Sequence, residues 1–180
     1  SAADSFMVRL NLTNSGTRGI YVGNNQPNHY VGGDIIGTNT GTGTSTWIYV
    51  VNGATSTMAI DGDVFLSNTS SATTTQIGMA LGGDATIGGD LTMLNYGPGS
   101  TAYGYTSNSA SASITVGGVT RIENGGSGTT HRSYLGSSGD FAVGDSLYLL
   151  NSSSASNSQI YVANAASSLG TIAGDIVVES

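Results

Sequence analysis

Apolar and polar residues alternate along this chain in short runs, and nowhere at the 3.6-residue spacing of a helix face with caps. "DIIGTN", "DVFLSN", "DLTMLN", "VTRIEN" and "SLYLLN" form one set of such runs. "GIYVGN", "WIYVVN", "QIGMAL", "YGYTSN", "RSYLGS" and "QIYVAN" form a second, and the shorter "STMAI", "DATI", "ASITV" and "DFAV" a third. A two-residue period puts successive side chains on opposite faces, so each run predicts a strand with one face buried. Gly, Ser, Thr and Asn fill the gaps between runs, as turns require.

The runs recur in register. Asparagines at Asn11, Asn39, Asn68, Asn95, Asn124 and Asn151 are spaced by 28, 29, 27, 29 and 27 residues. Ten residues after each stand Tyr21, Tyr49, Gly78, Tyr105, Tyr134 and Tyr161, and eight before each stand Ala3, Val31, Ile60, Ile87, Val116 and Val143. Fixed-period self-similarity is the mark of a repeat architecture. Three strands per repeat of roughly 28 residues predict an all-β chain folded as a single β-solenoid, one coil per repeat. A propeller blade needs a longer repeat, and a sandwich or jelly roll gives no reason for columns in register. The expected coils run approximately over 1–30, 31–59, 60–86, 87–115, 116–142 and 143–171, with an unfinished seventh at 172–180. Length changes fall between the tyrosine and the next apolar column, where a corner absorbs them, and their alternation hints at a two-coil unit.

Stacked coils give each column a role. The six asparagines are expected to form a ladder, amide to amide, at one buried corner. The Val/Ile column faces the core. Tyr21, Tyr49, Tyr105, Tyr134 and Tyr161 are expected to form an aromatic column with hydroxyls at the surface. The glycines before Asp34, Asp63 and Asp90 are expected to supply positive-φ corners.

The last segment, "TIAGDIVVES", repeats the first strand of a coil, and neither end carries an amphipathic cap helix. The expectation is head-to-tail stacking of copies through Phe6, Val8 and Leu10 at one end and Ile172, Ile176 and Val178 at the other.

Composition narrows the function. Charged residues make up only 8% of the chain, lysine is absent, and arginine occurs at Arg9, Arg18, Arg121 and Arg132 alone. A net charge of −7 leaves no basic patch for nucleic acid. No apolar run reaches the roughly 20 residues of a membrane-spanning helix, and without cysteine there are no disulfides or thiolate metal sites. Few charges, abundant Ser and Thr, and a first residue other than Met suggest a secreted, cell-surface protein from which a signal has been removed.

Candidate chemistry is sparse, and the chain is not expected to be an enzyme. Asp34, Asp63, Asp90 and Asp175 share a column and are weak Ca²⁺ candidates; capping their own Gly turns is the plainer role. No cofactor is expected otherwise. A carbohydrate-active site would need carboxylates with a basic partner on one outer face. Asp61 and Asp63, with Asp84 and Asp90 near the next coil, lack one, Arg121 and Arg132 being distant in sequence. His29 and His131 are expected in loops or outer segments, exposed to water. Trp47 adjoins the tyrosine column and suits an outer face, an interface or a sugar platform. Asn11, Asn68 and Asn151 head N-x-S/T sequons, most of which ladder burial should leave unmodified.

The "GGD-hydrophobic" coils resemble secreted bacterial β-solenoids, the class of filamentous-haemagglutinin-like adhesins, and some phage fibre shafts. The resemblance covers nearly the whole chain and is architectural. It implies an exported, elongated, surface-exposed protein. The expected function is a structural subunit of an extracellular filament whose partners are copies of itself. The alternatives are an adhesin or phage tail-fibre segment that binds glycans, and a β-helix carbohydrate-active enzyme.

Overall fold

The structure, a computed structural model, describes residues 5–6, 9–25, 27–152 and 154–180. All regular structure among them is β, in three parallel sheets. The first sheet stacks Ser5–Phe6, His29–Val31, Thr57–Ile60, Asp84–Ile87, Ser113–Val116, Asp140–Val143 and Gly170–Ile172. The second stacks Leu10–Asn14, Ile35–Asn39, Val64–Asn68, Leu91–Asn95, Thr120–Asn124, Leu147–Asn151 and Ile176–Glu179. The third stacks Ile20–Val22, Ser45–Val50, Thr74–Met79, Thr101–Thr106, Thr130–Leu135 and Asn157–Val162. The chain visits the sheets in rotation, so it is a β-solenoid of six coils followed by two strands of a seventh. Strand pairing between coils sets a rise of about 4.8 Å per coil.

Alternation decides what lies inside. In Ile35–Asn39, Leu91–Asn95 and Leu147–Asn151 the first, third and fifth residues are buried and the others half-buried. The inner positions stack as columns: Ile35, Val64, Leu91 and Leu147 in one, Leu66, Met93, Ile122 and Leu149 in the next. Val31, Ile60, Ile87, Val116 and Val143 line the first sheet.

Coil one departs from the expected register. Phe6 pairs with Val31 and Asn14 with Asn39, so Asn11, opposite Ile36, is an exposed outward residue and not part of the ladder. Asn14 precedes Tyr21 by seven residues where later coils use ten, because the corner between second and third strands is three residues shorter. Ala3 and Val8 lie outside the described residues, and Phe6 is described by its strand pairing.

The corners also differ from expectation. Positive φ falls at the exit from the third sheet, in the column Gly23, Val51, Ala80, Ser107, Gly136 and Ala163, with φ between 45° and 64°. The glycines before the aspartates do not have positive φ; they are there for closeness. A Cβ on Gly62 would stand 2.8 Å from the Gly33 carbonyl carbon and 2.3 Å from Asp34 Oδ1, and one on Gly89 2.1 Å from Asp63 Oδ1. Backbone stacks on backbone at that corner, which leaves no room for a methyl group.

The two-coil alternation has a geometric source. The corner from third to first sheet takes six residues at 51–56 and 107–112, and four at 80–83 and 136–139. Each long corner closes a turn, Ser56 N–H donating to Gly53 O and Ala112 N–H to Ser109 O, both at 3.0 Å. Each short corner packs on the long turn of the coil before it, Gly83 against Ser56 O and Gly139 against Ala112 O.

Candidate functional site

The asparagines Asn39, Asn68, Asn95, Asn124 and Asn151 are buried in consecutive, in-register strands. Their main bond is not the expected one. Each side-chain amide donates to the main-chain carbonyl eight residues on: Trp47, Gln76, Tyr103, Arg132 and Gln159, at 2.8 to 3.3 Å. The asparagine thus pins the third strand of its own coil across the corner. Amide-to-amide contact occurs from Asn14 to Asn39 at 3.1 Å and from Asn124 to Asn151 at 3.4 Å. Between the latter two, Ser133 Oγ receives from Asn124 Nδ2 and donates to Asn151 Oδ1, both at 2.8 Å. Each of these carbonyls belongs to the third residue of a six-residue strand, and a two-proton amide reaches it without burying charge.

The aspartate column also acts between coils and not within its own turn. Asp34 Oδ1 accepts from Asp63 N at 3.1 Å, Asp63 Oδ1 from Asp90 N at 2.8 Å, and Asp90 Oδ1 from Val119 N at 2.8 Å. Asp175 N donates to Ser146 Oγ at 3.2 Å, which continues the pattern with a hydroxyl. The Asp63 amide, then the Arg9 guanidinium 3.1 Å away, hold the Asp34 carboxyl below the usual range. Among the described residues no three His, Asp or Glu side chains converge as metal ligands would. Asp61 accepts from the Tyr30 hydroxyl at 2.5 Å, and Asp84 from Ser113 Oγ at 2.8 Å.

The outer face of the third sheet gathers the aromatic residues. Tyr21, Tyr49, Gly78, Tyr105, Tyr134 and Tyr161 are in register. Two residues before each of the last five lie Trp47, Gln76, Tyr103, Arg132 and Gln159, on the same face. Tyr21 meets Trp47 and Tyr49 edge-on at 5.9 and 5.6 Å, and Tyr134 stacks on Tyr161 at 4.8 Å and 5°. The gap at Gly78 is filled by Leu81, whose Cδ2 would lie 2.5 Å from a Cβ there. Tyr49 and Tyr105 converge over this gap, hydroxyls 3.0 Å apart, and both reach Gln76 Oε1. Their hydroxyls are therefore engaged rather than free at the surface, and burial pushes both pKa values up. The Arg132 guanidinium lies 5.8 Å from the Tyr103 ring centre, within cation–π range. The register signal for the tyrosines was in the sequence; Tyr103, Arg132 and Gln76 were missed because their column changes residue type at every coil.

Both histidines differ from expectation. His29 belongs to the strand His29–Val31 and is half-buried. His131 is fully buried, pointing inward above Ala102. Small neighbours admit it: a Cβ on Gly128 would lie 2.7 Å from its Nε2. Neither ring nitrogen has a protein partner, and burial pushes its pKa below the ordinary histidine value. Near pH 7.5 both folded and unfolded chains hold it neutral. As pH falls through about 6.5 the unfolded chain takes up a proton that the folded chain excludes, so stability falls. The urea midpoint is therefore expected to drop between pH 7.5 and pH 5, above the window where carboxylates such as Asp34 titrate. His131→Thr, which copies Thr46 and Thr75 of the same column, should flatten that drop; an unchanged slope would show that another group carries it.

Of the sequon asparagines, Asn68 and Asn151 are buried while Asn11 is exposed. Among the described residues no helix is long and apolar enough to cross a membrane. No known protein family, curated protein or solved structure matches this sequence.

Proposed function

We propose that this chain is a structural subunit of an extracellular filament that grows when the first coil of one copy stacks on the last coil of another. The observation that carries the reading is the state of the core columns at the last coil. Ile176 stands above Leu147, and Val178 above Leu149, in columns that are 0% exposed from Leu91 to Leu147 where apolar and 0 to 1% from Leu66 to Leu149. Ile176 is 58% exposed and Val178 52%, and Val162 and Leu169 are exposed beside them.

The opposite end offers the matching columns. Leu10 lies beneath Ile35 and Leu12 beneath Gly37, both half-buried. A hollow of about 250 Å³ lined by Leu10, Leu12, Val22, Val31 and Met58 lies there. A second copy's first coil would set Leu10 and Leu12 over Ile176 and Val178, and its strands on the unpaired edges of Gly170–Ile172 and Ile176–Glu179. Apolar burial contributes about 25 cal/mol per Å², and a contact between unlike surfaces that does not close propagates.

A surface location agrees with the low charge and the absence of lysine. A non-catalytic role agrees with the carboxylates of Asp34, Asp61, Asp63, Asp84 and Asp90, each already bonded to a protein donor.

The test is negative-stain microscopy and light scattering of the chain beside Ile176→Asp/Val178→Asp. The parent is expected to form fibres that lengthen with concentration. The double variant is expected to stay monomeric with an unchanged circular dichroism spectrum, since both side chains are exposed. Monodisperse short particles from the parent at all concentrations would overturn the reading.

A further inference from the structure

We propose that the outer face of the third sheet binds a carboxylate-bearing glycan, with Arg132 as the anchor for the carboxylate and Tyr103 and Tyr134 as platforms for the sugar rings. The proposal is independent of end-to-end stacking. An open groove of about 320 Å³ lies on this face, with Tyr103, Arg132 and Tyr134 in its floor and Gln76, Asn108 and Asn164 around it.

The local charge is unlike that of the rest of the molecule. The chain carries 11 acidic residues against four arginines, yet no acidic side chain lines the groove. Among the described residues the ion pairs are Arg9 with Asp34 and Arg121 with Glu123. Arg132 has no carboxylate partner, and its Nε–H, buried, has no acceptor. A guanidinium held against a tyrosine ring is pre-oriented, and its planar fork matches a carboxylate.

The remaining surface chemistry selects a hydroxyl-rich partner. Tyr103 has the Arg132 guanidinium over its ring and Tyr134 has Tyr161 stacked on one face, and each lines the groove with the rest of its apolar ring, while the amides of Gln76, Asn108 and Asn164 offer both donors and acceptors. Tyr103 is in register with Arg132 and lies two residues along and one coil back from Tyr134, a diagonal of about 7–8 Å, and Tyr161 follows Tyr134 one coil on. That geometry suits neighbouring rings of one glycan crossing the face obliquely, with Arg132 beside them. A peptide is disfavoured, because the groove sits on the face of a sheet and offers no strand edge for pairing. Nucleic acid is disfavoured because Arg132 is the one cation among the described residues lining the groove and the chain's net charge is −7.

The test is calorimetric titration of the intact chain with hexagalacturonate, its fully methyl-esterified form, 3′-sialyllactose and neutral maltohexaose. At least one acidic probe is expected to bind, with affinity falling as salt rises and at least tenfold weaker for the ester or the neutral sugar. Arg132→Gln and Tyr134→Ala are each expected to weaken binding at least tenfold, whereas Thr92→Ala, on the outer face of the second sheet, leaves it unchanged. Absence of binding by both acidic probes overturns the proposal. So does equal affinity for the ester and the acid, or an Arg132→Gln variant that binds as the parent does.

Discussion

Replacing Asn124 with alanine is expected to lower the unfolding free energy by about 3 kcal/mol, and Asn124→Asp to lower it further. The side chain is completely buried, and its Nδ2 donates to Arg132 O and Ser133 Oγ, each at 2.8 Å. Alanine removes the donor to Arg132 O and leaves Ser133 Oγ with its bond to Asn151 Oδ1 alone. An under-satisfied buried oxygen costs about 1–3 kcal/mol of desolvation, and the lost volume adds a cavity term. Aspartate keeps the shape but places acceptors where donors are required and adds a buried charge. Urea unfolding followed by far-ultraviolet circular dichroism measures both. A loss below about 1 kcal/mol for the alanine variant, the net worth of one ordinary hydrogen bond, would mean that water replaces the amide and that the asparagine does not pin the corner. A reduced urea slope would show that coils one to four unfold separately from five and six, as nearest-neighbour coupling in a solenoid allows.

The second large effect is expected at Gly83. A Cβ there would lie 2.0 Å from Ser56 O and 2.7 Å from Gly53 O. Both carbonyls belong to the long corner beneath, and Ser56 O accepts from Asp84 N at 2.9 Å. Alanine must displace backbone that is itself bonded, so Gly83→Ala is expected to cost about 3 kcal/mol, the upper part of the overpacking range. Gly139 stands in the same relation to Ala112 O and Ser109 O, at 2.1 and 2.5 Å. The reciprocal change, Ala112→Gly, introduces no clash and is expected to cost only about 1 kcal/mol, from the backbone freedom of glycine. Thermal unfolding of Gly83→Ala, Gly139→Ala and Ala112→Gly separates the cases. Equal losses for Gly83→Ala and Ala112→Gly would show that the corners do not interlock as the distances require.

These two sites differ in how far the sequence announces them. Asn124 is visible because the same residue returns at a fixed interval, and a column of identical polar residues in an alternating strand has few explanations. Its bonding is not visible: the carbonyl it holds lies eight residues away, across a corner whose direction depends on the third sheet. Gly83 announces nothing, since "LGGD" looks like any flexible turn. Its constraint is a carbonyl 27 residues earlier in the chain. The first coil shows the opposite failure. Asn11 satisfies the interval that Asn14 breaks, yet Asn14 is the one that bonds Asn39, because a corner three residues shorter shifts the register while the spacing of the tyrosines stays intact.

The same division runs through the proposed sites. Exposed Ile176 and Val178 follow from columns that the repeat made legible. The groove around Arg132 does not, because its column reads Trp, Gln, Tyr, Arg, Gln, and only strand pairing puts these residues side by side. His131 is buried because Ala102 and Gly128 leave room, a condition set by two other segments.

By itself the sequence determined the all-β class, the three strands per coil, the period near 28, the core columns and the tyrosine column. All of these follow from alternation within a strand and recurrence between strands, and both are properties of positions along the chain. The tertiary structure alone decided the register of coil one, the site of the positive-φ corner, the coil-to-coil bonding of the aspartates, the burial of His131 and the environment of Arg132. Each of these depends on atoms brought within about 3 Å by corners and neighbouring coils, and an interval in sequence carries no information about that distance.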